Sequence, residues 1–165
     1  MARTNIYLKL EDVEGESVDE GHEKWIELES FKWVVKNDAS FATGQGGQAT
    51  QGHVEKISFD KICDQSSITL FRNCTTGKHI KSGEIQCLKL DGDSRITYLS
   101  VTLTDIMVAK VDWSGRGDEA VLHEAVELEF AEFHKTYKLQ QDTGTAGGQK
   151  DFKFNRQTSQ ASGSS

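Results

Sequence analysis

The stretch Leu122-His123-Glu124-Ala125-Val126-Glu127-Leu128-Glu129-Phe130 decides the fold. Leu122, Val126, Leu128 and Phe130 fall on one parity, while His123, Ala125, Glu127 and Glu129 fall on the other. Successive side chains of a strand point to opposite faces, so this alternation describes a strand with one dry and one wet face, as antiparallel sheets have. Beyond Phe130 the phase flips, and Phe133, Tyr137 and Leu139 carry the apolar side. The same flip separates Ile26 and Leu28 from Phe31, Trp33 and Val35, and again Leu99, Val101 and Leu103 from Ile106 and Val108. A shift of one residue reverses every side chain, so three flips predict bulges, bends or breaks in long strands. Long strands that bend build a barrel or a tightly curled sandwich.

Ile6, Leu8 and Leu10 share one face of a first strand, and Asp91-Gly92-Asp93-Ser94 reads as a hairpin turn. One helix is predicted at about 64–76. Asp64 or Ser66 can cap its start, Ile68, Leu70, Phe71 and Cys74 form an apolar stripe, and Gly77 is a left-handed stop. Three regions break the pattern: an acidic connector at 11–23, a Gly- and Gln-rich run at 37–53 with Phe41 as its one aromatic, and a polar stretch from about 140 anchored only by Phe152 and Phe154. Loops longer than about 12–15 residues in a compact domain are usually functional or disordered.

With 26 acidic and 19 basic residues the net charge is −7, which gives no general attraction for phosphate backbones or anionic lipid. No stretch approaches about 18 apolar residues, so no membrane span is expected. The amino terminus lacks the apolar run and cleavage-like end of a signal peptide. Cys63, Cys74 and Cys87 fit no metal spacing and read as small buried or half-buried thiols.

Candidate chemistry is thin. Gly44-Gln45-Gly46-Gly47-Gln48-Ala49 superficially fits a dinucleotide fingerprint, but Thr50-Gln51-Gly52-His53-Val54 offers no helix to face a pyrophosphate. The acids near His22 lack calcium-loop spacing. His22, His53, His79, His123 and His134 form no His-x-x-x-His pair, although a triad assembled in space stays open. Trp25, Phe31 and Trp33 are either a stacking platform or core. No catalytic, metal or cofactor-binding residue is assigned.

The run Gly15-Glu16-Ser17-Val18-Asp19-Glu20-Gly21-His22, followed by Trp25-Ile26-Glu27-Leu28-Glu29-Ser30-Phe31-Lys32-Trp33, resembles the signature of the haemolysin-coregulated protein (Hcp) family. That pattern is Gly-Glu-Ser, then Asp, then His, then a strand ending Ser-aromatic-x-Trp. Ile57-Ser58-Phe59-Asp60-Lys61, Gly77-Lys78-His79, Tyr98-Leu99-Ser100-Val101-Thr102-Leu103 and Val126-Glu127-Leu128-Glu129-Phe130-Ala131 agree in order, so the likeness covers roughly 4–139. It departs in a loop richer in Gln and Thr and in Phe31, where Trp is common.

The resemblance implies a mainly β chain: two curled antiparallel sheets forming a barrel flanked by one helix, with a single domain over 1–155, an extended loop at 37–53 and a polar flexible tail at 156–165. It implies a tube subunit of a type VI secretion system, forming six-membered rings that stack, driven out by a sheath beneath a spike protein and carrying small effector proteins in the channel. Assembly would be cytoplasmic and export would need no signal peptide. Phe41, Gln45, Gly46, Gly47 and His53 are the residues expected at a subunit or ring–ring contact. No cofactor, nucleic acid or membrane insertion is implied. The alternatives are a monomeric β-sandwich binding module and an enzyme built around His22.

Overall fold

In the computed structural model the described residues are 5–41, 47, 50–140 and 146–164. Eleven strands and one helix follow in order: β1 (Ile6–Leu10), β2 (Ile26–Glu27), β3 (Ser30–Lys32), β4 (Val35–Lys36), β5 (His53–Val54), β6 (Ile57–Ile62), α1 (Gln65–Thr76), β7 (Ile80–Asp91), β8 (Ser94–Gly115), β9 (Leu122–Gln140), β10 (Ala146–Asn155) and β11 (Gln160–Ser162). Every pairing among them is antiparallel.

The three phase flips are where the barrel is made. Residues 26–32 serve two partners in turn. Ile26 and Glu27 pair with β1, whereas Ser30, Phe31 and Lys32 pair with β6. At the handover Leu28 donates its amide to Ile6 O (3.0 Å) and Glu29 donates to Asp60 O (2.8 Å). From β6 the ladder runs through β9, β8 and β7 back to β1, so the hydrogen bonds return to their start. The other two flips face each other across one ladder: Ile106 pairs with Phe130 and Leu103 with Phe133. Between them Asp105 takes a left-handed φ of 54°. Both strands therefore kink together, and all four apolar residues stay in the core.

The core is one cluster, with Leu8, Ile26, Leu28, Ile57, Leu103, Ile106 and Leu128 fully buried. Burial of each such side chain contributes roughly 1.5–3 kcal/mol. Helix α1 is too short to persist alone in water. Asp64 caps it in a capping box with Ser67, and Gly77 (φ 69°) ends it. The stripe expected from the sequence is corrected here. Leu70 is fully buried and Cys74 half-buried, but Ile68 and Phe71 are exposed, because the inward face is completed by Ser66, Ser67 and Asn73.

Outside the barrel circuit, β4 and β5 form a short separate stem below the 37–53 loop. The carboxy-terminal region is more ordered than its composition suggests. β10 pairs with the last half of β9, and β11, within the expected flexible tail, pairs with β10. The Phe154 ring packs tilted against that of Phe133 at 6.0 Å, and Asp151 accepts from both the amide and hydroxyl of Ser164.

The Ser164 hydroxyl, then His134 Nε2, then the Ser164 amide hold the Asp151 carboxyl at about 2, below its ordinary 3.8. The carboxylate is the form that binds Ser164, so this tie is complete above the ordinary value and fades as the pH falls toward about 2. The protection of Ser164 and β11 against hydrogen exchange, each referred to the intrinsic amide rate at the same pH, is expected to fall over that window, and that of Asp151→Asn to be low at every pH. Protection in the unmodified chain that stays constant with pH would contradict it.

Candidate assembly site

The 37–53 loop leaves the barrel from the β4–β5 stem, where Val35 faces Val54 and Lys36 faces His53. Phe41 is 87% exposed, and its ring lies against Gly47. Gln45 and Gly46 lie outside the described residues, as does most of the fingerprint-like glycine run. His53 is exposed at the lip of an open cleft of about 590 Å³, shared with His79, Asp105, Met107, Phe154 and Arg156. The structure thus brings Phe41 to Gly47 and sets His53 at the foot of the loop.

The acidic connector has a different role from the one its charge suggests. Over 12–20 its odd positions Val13, Gly15, Ser17 and Asp19 are buried and its even positions exposed, and His22 is then buried as well. A Cβ at Gly15 would lie 2.7 Å from Ile26 Cα, so only glycine lets the connector approach the strand. His22 stacks on Tyr7 (4.5 Å) and packs edge-on to Trp25. Its Nε2 shares a 2.7 Å hydrogen bond with Gln86 Oε1. Arg95 ties Asp19 (2.9 Å) to Tyr7 Oη (3.3 Å). The signature residues therefore clamp the connector onto β1, β7 and β8. Trp33 likewise packs edge-on to Phe130 and Phe133 and donates from Nε1 to Glu55 O (3.0 Å). That leaves it a core residue rather than an open stacking platform.

A second polar cluster was invisible in the sequence. Lys61 is fully buried. The three hydrogens of its Nζ are shared among four acceptors, Ile62 O (3.0 Å), Asp64 Oδ1 (3.0 Å), Ser67 Oγ (2.9 Å) and Glu124 Oε2 (3.1 Å). Glu124 occupies an inward position of the very strand whose alternation gave the fold, and Ser67 also donates to its Oε2. The effective cost of burying one such charge is several kcal/mol, which these bonds offset. The network joins α1 to β6 and β9. Beside it, burial first and the Glu124 charge further down push the Cys63 thiol up, and burial pushes Cys87 to about 11. Both stay protonated near neutrality and are poor nucleophiles. Among the described residues no three His, Cys, Asp or Glu side chains gather as a metal site, and no helix is long and apolar enough to cross a membrane.

Taken together, a closed barrel, a signature used as a clamp and a loop on its own stem define a protein whose distinctive residues hold shape and project surface. The chain belongs to the Hcp family of type VI secretion system proteins: the family model described as type VI secretion system effector, Hcp, matches residues 7–137. It is 33% identical over 144 residues to protein hcp1 of Pseudomonas aeruginosa, covering 87% of this chain and 89% of that one. Among solved structures, a type six secretion system protein superposes with a TM-score of 0.88 at 25% identity, over 96% of this chain and 99% of the other. Hcp1 from Salmonella typhimurium superposes with a TM-score of 0.78 at 30% identity, over 95% and 97%.

The Lys61 network makes a quantitative expectation. Lys61→Met strands the Glu124 carboxylate in the interior and should lower unfolding stability by about 3–5 kcal/mol in a urea titration. The double change Lys61→Met with Glu124→Leu should recover most of that loss. A single substitution costing under about 1 kcal/mol would contradict the account.

Proposed function

We propose that this chain is the building block of the inner tube of a type VI secretion system, with six copies closing a ring and rings stacking into the tube. The sheath and spike of the apparatus are its mechanical partners, and small effector proteins are its cargo in the ring channel. Assembly takes place in the cytoplasm and the rings then leave the cell through the apparatus itself. The chain acts by shape and surface and has no catalytic step.

The observation that carries this reading is the loop. Residues 39–52 hold no charged side chain in a chain that is 27% charged. An uncharged segment can be covered by a neighbouring surface without stranding a charge, and an exposed aromatic is the kind of side chain that anchors such contacts. Set on its own stem, it suits a reach toward an adjacent subunit or ring. Phe41 is the anchor in this proposal, Gly46 and Gly47 let backbone approach closely, Gln45 supplies an uncharged side-chain amide to the contact, and His53 fixes the base. Family membership supports the tube role, and a head-to-tail contact closes a ring when its rotation divides the circle.

Removing residues 41–49 is expected to leave the far-ultraviolet circular dichroism of the barrel unchanged while abolishing ring stacking and secretion. Stacked rings and normal secretion by the shortened chain would overturn the role given to the loop.

A further inference from the structure

We infer that residues 156–164 are a strap that keeps β11 over the Phe152–Asn155 edge of β10, so that two copies of the chain cannot add to one another, strand to strand, through that edge. This goes beyond the ring reading and does not depend on it.

β10 is the last long strand of the sheet, with β9 on one side and only the three residues of β11 on the other. Its two halves present different edges. Over Ala146–Lys150 no described residue pairs with the outer side. There the register with β9 shifts between Ala146 and Gln149, and Gly147, Gly148 and Lys150 make a poor template for another strand. Asp151–Asn155 instead keeps an unbroken register with β9, from Thr136 to Glu132, and carries two aromatics, Phe152 and Phe154. A regular, aromatic edge of this kind invites strand addition, and its partner would be the same edge of a second copy. β11 lies on this half alone, pairing Ser162, Ala161 and Gln160 with Lys153, Phe154 and Asn155. The edge that β11 presents in turn is only three residues long, and a very short edge strand is a weak template.

Burial does not hold the strap in place. Residues 157–164 are all exposed, and none has an apolar side chain larger than that of Ala161. Specific contacts at its two ends hold it instead. At the start, Arg156 donates its amide to Ala131 O (2.8 Å) and its guanidinium to Phe130 O (2.9 Å). Asn155 Oδ1 accepts from the amides of Gln157 (2.9 Å) and Thr158 (3.0 Å), and Ser159 turns the chain back with a left-handed φ of 58°. At the far end, Ser164 donates its amide to Asp151 Oδ1 (3.1 Å), and its hydroxyl accepts from the Asp151 amide (3.3 Å). A Cβ at Gly163 would lie 3.0 Å from Phe152 Cα and closer still to Asp151 O, so glycine is what lets the chain cross there. The segment adds nothing to the core, yet it is pinned at both ends over the half of the edge that needs cover.

The test uses full-length chains. Gly163→Val with Ser164→Ala undoes the far end, and Ala161→Pro breaks β11 at its centre. Circular dichroism checks folding, and Asn155→Ala, which undoes the turn, replaces either variant that fails it. Hydrogen exchange should show protection lost at 160–162. With the strap loose, light scattering should give at least twice the mass of the unmodified chain at the same concentration, whether that chain is a ring or single. Adding Phe152→Lys blunts the edge with charge and should return the mass to the unmodified value. A loosened chain that keeps the unmodified mass at every concentration, or a gain in mass that Phe152→Lys leaves in place, would overturn the proposal. So would retained protection at 160–162 in every folded variant, since the strap would then not hang on these contacts.

Discussion

Seven residues, 26–32, must belong to two strands at once, and the barrel depends on that. Ile26 and Glu27 lie on β1, Ser30 to Lys32 lie on β6, and the chain changes partner at Leu28 and Glu29. Were the segment to stay with one partner, the other would keep a row of unpaired backbone groups, the usual template for unwanted strand addition. The signature that precedes it serves the same end. Gly15, Asp19 and His22 fold the connector back so that the chain enters 26–32 in the correct phase, with Arg95 and Tyr7 as the fixed points.

The second constraint is the shared kink at Asp105. β8 and β9 are long enough to do two jobs, and the kink lets them. Below it they form the barrel wall with β6; above it they carry β7 on one side and β10 on the other. Asp tolerates the left-handed conformation better than most side chains, and its hydrogen bond to His79 (2.8 Å) holds it there. One pair of strands thus supplies a closed core and a sheet extension bearing exposed aromatics.

Much of this was legible in the sequence, because period two survives wherever apolar residues mark the inward face. All three flips fell where the chain changes partner or bends, and of the two caps the sequence offers, Asp64 and Ser66, the helix uses Asp64. What hid were inward positions filled by polar groups. Ser17 and Asp19 made a buried connector read as a solvated acidic run, and Glu124 sat on the dry face of the clearest strand with its cation 63 residues away. The α1 stripe misled for the same reason: Ser66, Ser67 and Asn73 turn inward while Ile68 and Phe71 stay out. The carboxy-terminal strands hid in a composition of Gly, Gln and Ser because β9 supplies their register. Of the residues proposed for assembly, Phe41 and His53 stand out in the sequence as an isolated aromatic and a loop end, whereas the contact of Phe71 on α1 with Trp113 on β8 exists only once the chain is folded.

The fold thus gives a closed body held by buried polar contacts, and its function turns on what its exposed surfaces meet. The most direct measurement is the mass of the purified chain by light scattering over a dilution series, with negative-stain images of the same fractions. The account predicts six times the 18.4 kDa chain and annular particles. A single-chain mass at every concentration, with no annuli, would contradict it.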